Sequence, residues 1–107
     1  MRQIEKRMLT AIRERKNFHC DNTTVKIDGD NWTVTLYKTD IAKRIGKNII
    51  LQAGGFHTRT TQSRLNAILS HFGKGGIWTE KGEWFWTYSG YGETVKFYDG
   101  MQFEVSI

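Results

Sequence analysis

The sequence has no proline in its 107 residues and only one cysteine, Cys20. Without proline, no strand or helix is interrupted by a residue that lacks a backbone N–H. A lone cysteine excludes an intramolecular disulfide and fits a reducing compartment. No apolar run reaches the roughly 20 residues that cross a bilayer, and the first residues lack the apolar segment of a signal peptide. We therefore expect a cytoplasmic protein with no membrane partner.

Sequence motifs for catalysis and metal binding are missing as well. The Gly-x-Ser-x-Gly nucleophile motif and the phosphate-binding loop with its Lys and Ser/Thr are both absent. His19, Cys20, His57 and His71 show no recognised metal-ligand spacing. The acidic residues stand singly, mostly in turns. We therefore expect a protein that is not an enzyme and that has no cofactor and no metal site.

Aromatic residues make up 13% of the chain and offset a low hydrophobic content of 38%. Because each ring buries a large area, this composition opposes intrinsic disorder. The length suits a single domain over residues 1–107. Within that domain, residues 1–17 are predicted to form a basic N-terminal helix that could be peripheral.

Two stretches of the chain have helical periodicity, residues 3–16 and residues 61–72. Their apolar positions are Ile4, Met8 and Ile12 in the first stretch and Leu65, Ile68, Leu69 and Phe72 in the second. Thr60 or Thr61 is expected to cap the second helix, and Gly73 to end it.

The rest of the chain shows the alternation and turn residues of β-strands. Residues 23–37 predict a hairpin around Asp28-Gly29, and residues 40–53 a second one whose first arm could instead be a helical turn. Further strands are expected after residue 76. The predicted class is α+β, with an N-terminal helix, two blocks of antiparallel strands (six to eight in all) and a second helix between them.

Basic residues are concentrated in two segments of a chain whose net charge is +5. Residues 1–16 carry a net +4 and residues 38–64 a net +5, which raises the odds of an anionic partner. Ordinary solvated charge is the alternative. The candidate residues for binding a partner or nucleic acid are Arg2, Lys6, Arg13, Lys16, Lys43, Arg44, Lys47 and Tyr91, the last in an exposed glycine-flanked loop.

The loop that opens the second helix is a candidate anion site. Free backbone N–H groups at a helix N-terminus favour anions, and glycines let a ligand approach the backbone. Its candidate residues are Gly54, Gly55, His57, Thr58, Arg59, Thr60, Thr61 and Arg64. The alternative is plain helix capping, with Arg59 and Arg64 in solvent.

Aromatic side chains offer a further surface. Trp84, Trp86 and Tyr88 share one face of a predicted strand, with Trp78 across the hairpin. Such rings can stack nucleic-acid bases, but three large rings on one face favour core packing. Phe85 and Thr87 would then lie outside.

Three motifs resemble those of a known group of proteins. They are Ile49-x-Leu51-x-x-Gly54-Gly55-x-x-Thr58-x-Thr60-Thr61-x-x-Arg64-Leu65-Asn66, Lys81-Gly82-x-Trp84 and Val95-x-Phe97-x-Asp99-Gly100-Met101. Over residues 32–104 the chain resembles small hypothetical proteins of tailed bacteriophages, with the first helix outside the shared pattern. The resemblance implies a phage gene product in the cytoplasm of a bacterial host cell, and it implies no particular activity.

Together these features predict a non-enzymatic phage protein that binds a host protein or nucleoprotein complex and inhibits or modulates it, as anti-defence proteins do. One alternative is a nucleic-acid-binding protein that uses the basic helix and the basic 38–64 segment. A second alternative is a binder of a small phosphorylated ligand at the Gly54–Thr61 loop. Sheet order and oligomeric state are left open.

Overall fold

A computed structural model describes residues 1–88 and 90–105; residues 89, 106 and 107 of the predicted domain lie outside that description. The described residues form two helices and nine strands. They are α1 (Gln3–Glu14), β1 (Phe18–Cys20), β2 (Thr23–Asp28), β3 (Asn31–Leu36), β4 (Thr39–Ile45), β5 (Asn48–Leu51), α2 (Arg59–His71), β6 (Gly76–Glu80), β7 (Glu83–Thr87), β8 (Thr94–Lys96) and β9 (Met101–Glu104).

This element order confirms the predicted α+β class. The first arm of the second hairpin is a strand, β4, and not a helical turn. The strand count exceeds the predicted six to eight because Phe18–Cys20 forms a three-residue strand that pairs with β2. Three residues are too few to show an alternating pattern, so only tertiary pairing reveals this strand.

The strands form two antiparallel sheets. The large sheet has the order β1-β2-β3-β4-β5-β9, and the small sheet has the order β6-β7-β8. The chain therefore leaves the large sheet after β5 and returns to its edge at β9, where Ile49 pairs with Phe103 and Leu51 with Met101. This return brings the Asp99 turn beside the end of β5.

The core lies between the two helices and one face of the large sheet. Val25, Val34 and Ile49 are fully buried on the sheet, and Leu65 and Ile68 are fully buried on α2. The first helix also belongs to this core, since it buries Met8, Leu9, Ala11 and Ile12. The suggestion that residues 1–17 could be peripheral is therefore wrong, because one face of α1 is apolar.

The small sheet packs its inner face onto the same core. Trp84 and Trp86 are buried, and Trp86 lies 6.2 Å from Phe103 of the large sheet. Both rings pack in the core, as their position on one strand face predicts. Tyr88, the third ring of that series, remains 38% exposed.

A buried ion pair joins the two helices. Arg64 Nη1 donates to Glu5 Oε2 at 2.7 Å, and the two side chains are only 3% and 2% exposed. Ser63 donates to the same oxygen, and the backbone N–H of Arg2 donates to the other. Burial pushes the pKa of the Glu5 carboxyl upward, but these hydrogen bonds and the Arg64 charge outweigh burial and hold the pKa below its ordinary value.

Arg64 also joins the helices to the large sheet. Its Nε donates to Thr23 Oγ1 at 3.0 Å, and its Nη2 donates to Asn22 Oδ1 at 3.2 Å. The guanidinium thus has charge-assisted partners on three sides, which a buried arginine requires. The position of α2 over the sheet is consequently coupled to the position of α1.

We predict that Glu5→Gln destabilises the protein at neutral pH by about 3 kcal/mol, because it leaves the Arg64 charge buried without a counter-charge. The depressed pKa of Glu5 adds a pH signature. Its stabilising contribution is present above the ordinary carboxyl pKa and is lost as the pH falls through the lower pKa of the folded state. Denaturant unfolding at a series of pH values should show that acid-dependent loss in the wild type and a reduced loss in the variant.

The exposed pair between Lys96 and Glu83, at 3.2 Å, provides the matched control. Glu83→Gln should change the unfolding free energy by less than about 1 kcal/mol, because solvent screens this pair. Equal effects of the two substitutions would contradict the structural role of Glu5.

Candidate functional site

The glycine loop before α2 already holds a carboxylate of the same chain. Asp99 Oδ1 accepts from the backbone N–H of Ala53 at 2.8 Å, and Oδ2 accepts from that of Gly54 at 3.2 Å. Gly54 has a φ of +62°, and a Cβ there would lie 2.5 Å from the Thr39 methyl. Glycine is therefore required both for the backbone conformation and for the close approach.

The cap of α2 lies earlier than predicted. Thr58, and not Thr60 or Thr61, is the N-cap residue, and its Oγ1 accepts from the backbone N–H of Thr61 at 3.1 Å. The two hydroxyls of Thr58 and Thr61 lie 3.0 Å apart. Gly73 follows the last turn with a φ of +66°, as the sequence predicts for the helix end.

The other candidate residues of this loop do not converge on one point. Arg64 is neither solvated nor directed at the loop, because it is buried against Glu5. His57 packs edge-on against Trp84 at 4.6 Å. Arg59 lines a separate cavity with Glu5 and Ser63, and Gly55 is exposed while Thr60 is half-buried. The geometry thus offers little support for a single anion site at Gly54–Thr61.

A mainly apolar cavity of about 430 Å³ lies between this loop and the β3–β4 turn. Its buried lining includes Leu36, Ile41 and Ala53. Its exposed lining includes Tyr37 and Phe56, whose side chains are 74% and 61% exposed. We call this cavity and its two exposed rings the Tyr37–Phe56 pocket. Its size and lining suit a bulky apolar side chain.

Tyr37 occupies an unusual backbone conformation at the edge of this pocket. Its φ is +56°, and its backbone N–H donates to the Asn22 carbonyl at 2.7 Å. A bulky residue in the left-handed region costs about 1–2 kcal/mol, whereas glycine would adopt it freely. Arg15, Asp21 and Lys81 also have a positive φ, but of these four residues only Tyr37 lines the apolar pocket. Neither Tyr37 nor Phe56 is among the residues predicted from the sequence, since the conformation that exposes Tyr37 is visible only in three dimensions.

The predicted basic residues are divided between different surfaces. Arg13 of the first segment and Arg44 of the second line one small cavity, which we call the arginine pocket. Lys43 lies on the opposite face of the large sheet, because it alternates with Ala42 and Arg44 along β4. Arg2 and Lys6 lie at the N-terminal end of α1. Lys16 pairs with Glu14 at 3.5 Å. Lys47 lies in the β4–β5 turn. Tyr91 is 95% exposed, as predicted.

The outer face of the small sheet carries an aromatic pair. Trp78 stacks on Phe85 at 5.0 Å, and its indole N–H donates to Thr87 Oγ1 at 2.8 Å. Trp78 therefore lies on the face opposite to Trp84, so the predicted grouping of these two rings is wrong. The register that pairs Trp78 with Phe85 explains the difference. Phe85 and Thr87 lie on the outer face, as predicted.

The fold and its pockets define a small α+β protein in which a helix-covered six-stranded sheet is joined to a three-stranded sheet. The family model of the Kyanoviridae Gp96 protein matches residues 1–104, and the chain belongs to this family of cyanophage proteins. The match includes α1, so the view that the first helix lies outside the shared pattern is wrong. Comparisons with curated proteins and with solved structures found no match.

Neither described helix is long and apolar enough to cross a membrane. Within residues 1–88 and 90–105, no group of three His, Cys, Asp or Glu side chains lies close enough together to hold a metal ion.

We predict that Asp99→Asn loosens the glycine loop, because an amide cannot accept from both backbone N–H groups that the carboxylate now binds. The expected loss of stability is about 1–2 kcal/mol. Hydrogen exchange should become faster at the amides of Ala53 and Gly54. The exposed Asp28 gives a control, since Asp28→Asn should leave both quantities unchanged, and slow exchange in Asp99→Asn would contradict the role of this carboxylate.

Proposed function

We propose that this phage protein is a non-enzymatic binding protein that inhibits or modulates a host protein or nucleoprotein complex, in an anti-defence role. The docking surface in this proposal is the Tyr37–Phe56 pocket. The observation that carries it is an exposed tyrosine held in a strained conformation beside an apolar cavity. Glycine or asparagine would adopt that conformation with less strain.

The binding free energy that burial of the two rings would contribute supports this choice of surface. Full burial of a large apolar side chain contributes about 1.5–3 kcal/mol. Tyr37 and Phe56 still expose 74% and 61% of their surface, so a partner that covers both gains roughly 2–4 kcal/mol from them. Aromatic residues around a pocket are typical anchors of protein interfaces.

The partner's chemistry follows from the lining of the pocket. An aromatic or aliphatic side chain fits its apolar interior, formed by residues such as Leu36 and Ile41. Lys38 lies in the same lining, and the chain as a whole carries a net charge of +5. A partner segment that combines a bulky apolar residue with neighbouring carboxylates is therefore the best match.

Direct binding of nucleic acid is the second candidate function. The observation that favours it is the meeting of the two basic segments at Arg13 and Arg44. The position of Lys43 on the opposite face of the sheet weakens it, because a nucleic-acid strand needs a continuous basic track.

We predict that Tyr37→Gly abolishes partner capture without lowering stability. The substitution removes the ring but relieves the left-handed strain, so unfolding free energies should agree within about 1 kcal/mol. Tagged wild type and variant are incubated with host lysate, with and without nuclease, and bound protein and nucleic acid are both analysed. A host protein that survives nuclease and high salt, and that is lost in Tyr37→Gly and in Phe56→Ala, is the expected result.

Tyr98→Ala is the matched control, because Tyr98 is also an exposed ring, at 63%, and does not line the pocket. It should capture the same host protein as the wild type. Equal capture by all four proteins would reject the pocket as the docking surface. Recovery of nucleic acid alone, lost at higher salt, would replace the proposal with the second candidate.

A further inference from the structure

The arginine pocket is a small cavity of about 150 Å³ at the C-terminal end of α1. The guanidinium-bearing residues Arg13, Arg15 and Arg44 all line it, together with Asp30 and His71. Arg15 follows α1 in a left-handed conformation, and Arg44 reaches the cavity from the inner face of β4. The packing of the helix on the sheet thus brings arginines that are distant in sequence to the lining of one cavity.

Positive charge in this pocket exceeds the negative charge available to neutralise it. Asp30 accepts from Arg15 at 2.9 Å. Arg13 has only a 3.9 Å approach to Glu14, and Arg44 donates through Nε to the Gly46 carbonyl at 2.9 Å. In the described part of the chain, the terminal nitrogens of Arg44 have no hydrogen-bond partner. The lining of the cavity therefore includes three arginines and one carboxylate residue, and the side chains of Arg13 and Arg15 are 63% and 68% exposed.

The lowered pKa of His71 is consistent with this excess of positive charge. Burial, and then the charge of Arg13, hold the pKa of its imidazole below the ordinary value. This lowered pKa favours the neutral form of the imidazole. An anion in the cavity would oppose the effect of Arg13 and raise the pKa of this imidazole.

The indole of Trp32 carries a buried donor that has no acceptor. Trp32 is 4% exposed and lines the pocket. Its Nε1–H is the one buried side-chain polar atom without a hydrogen-bond partner among residues 1–88 and 90–105. The indole N–H groups of Trp78 and Trp86 both have acceptors, at 2.8 and 2.7 Å. A buried donor without an acceptor is unfavourable, and because Trp32 lines the cavity, its indole N–H signal reports on what the cavity holds.

We propose that the arginine pocket binds a phosphate group, held by Arg13, Arg15 and Arg44, with the indole of Trp32 in the wall of the cavity. Guanidinium groups match phosphate oxygens in geometry and charge. The cavity has the volume of about five water molecules at roughly 30 Å³ each. It therefore accommodates the phosphate itself, and the rest of the ligand lies outside. This site is separate from the Tyr37–Phe56 pocket, and either can exist without the other.

The test follows the four indole N–H signals in a ¹⁵N–¹H spectrum while inorganic phosphate replaces chloride at constant ionic strength. Trp32→Phe identifies the Trp32 signal. We expect that signal to shift in a saturable way, and those of Trp78 and Trp86 to stay in place because their acceptors are internal. The His71 ring signals should report a higher pKa at saturating phosphate.

Three arginine variants test whether phosphate binding is specific to the pocket. Arg44→Gln should weaken phosphate binding about tenfold, as expected for the loss of a charge-assisted pair of hydrogen bonds. Arg44→Lys keeps the charge but loses the planar fork and should weaken binding less. Arg59→Gln changes the net charge equally but lies in another cavity, and it should bind as the wild type does. Unchanged Trp78 and Trp86 signals show that each variant is folded.

A Trp32 signal that does not move, or a shift that is identical in wild type and Arg44→Gln, would overturn the proposal. Saturable, Arg44-dependent binding supports it, and further titrations then identify the source of the phosphate. Adenosine monophosphate tests a free nucleotide. An oligonucleotide with a 5′-phosphate, compared with the same strand ending in a 5′-hydroxyl, distinguishes a terminal phosphate from the internal backbone.

Discussion

The ion pair between Glu5 and Arg64 is the interaction on which the rest of this structure depends. It joins α1 to α2, and through Thr23 and Asn22 it joins both helices to the start of β2. Because both charges are buried, neither helix can move without exposing or unpairing one of them. The position of α2 places Thr58 and Thr61 at the apolar pocket, and the position of α1 places Arg13 in the lining of the cavity that Arg44 also lines. Both proposed binding surfaces therefore include residues on or next to the helices that this contact joins.

Two carboxylates of the chain itself bind donor groups that could otherwise suggest a ligand site. Glu5 pairs with the guanidinium of Arg64, and Asp99 accepts hydrogen bonds from the backbone N–H groups of Ala53 and Gly54. The two hydrogen bonds of Asp99 connect the start of the Gly54–Thr61 loop, just after β5, to the turn before β9. The surfaces that remain have different chemistry. One is apolar, with two exposed rings, and the other is a small cavity rich in arginine.

The sequence predicted features that arise from local periodicity. Both helices, the two hairpins before α2 and the buried positions of Trp84 and Trp86 follow from apolar spacing and turn residues. Features that depend on distant residues were not predictable. Arg64 is 59 positions from Glu5, so its side chain looked solvated, and Asp99 is 46 positions from Ala53. The Tyr37–Phe56 pocket depends on the fold and on a positive φ at Tyr37, which the residue type argues against.

Hydrogen–deuterium exchange of the protein, free and bound to the captured host partner, tests the central claim most directly, because it maps the covered surface without any substitution. We expect slower exchange in the peptides around residues 36–41 and 53–58, which contain lining residues of the Tyr37–Phe56 pocket, and little change on the outer face of the small sheet. Protection confined to the basic face of α1 or to the strands that carry Trp78 and Phe85, with no change around Tyr37, would contradict it.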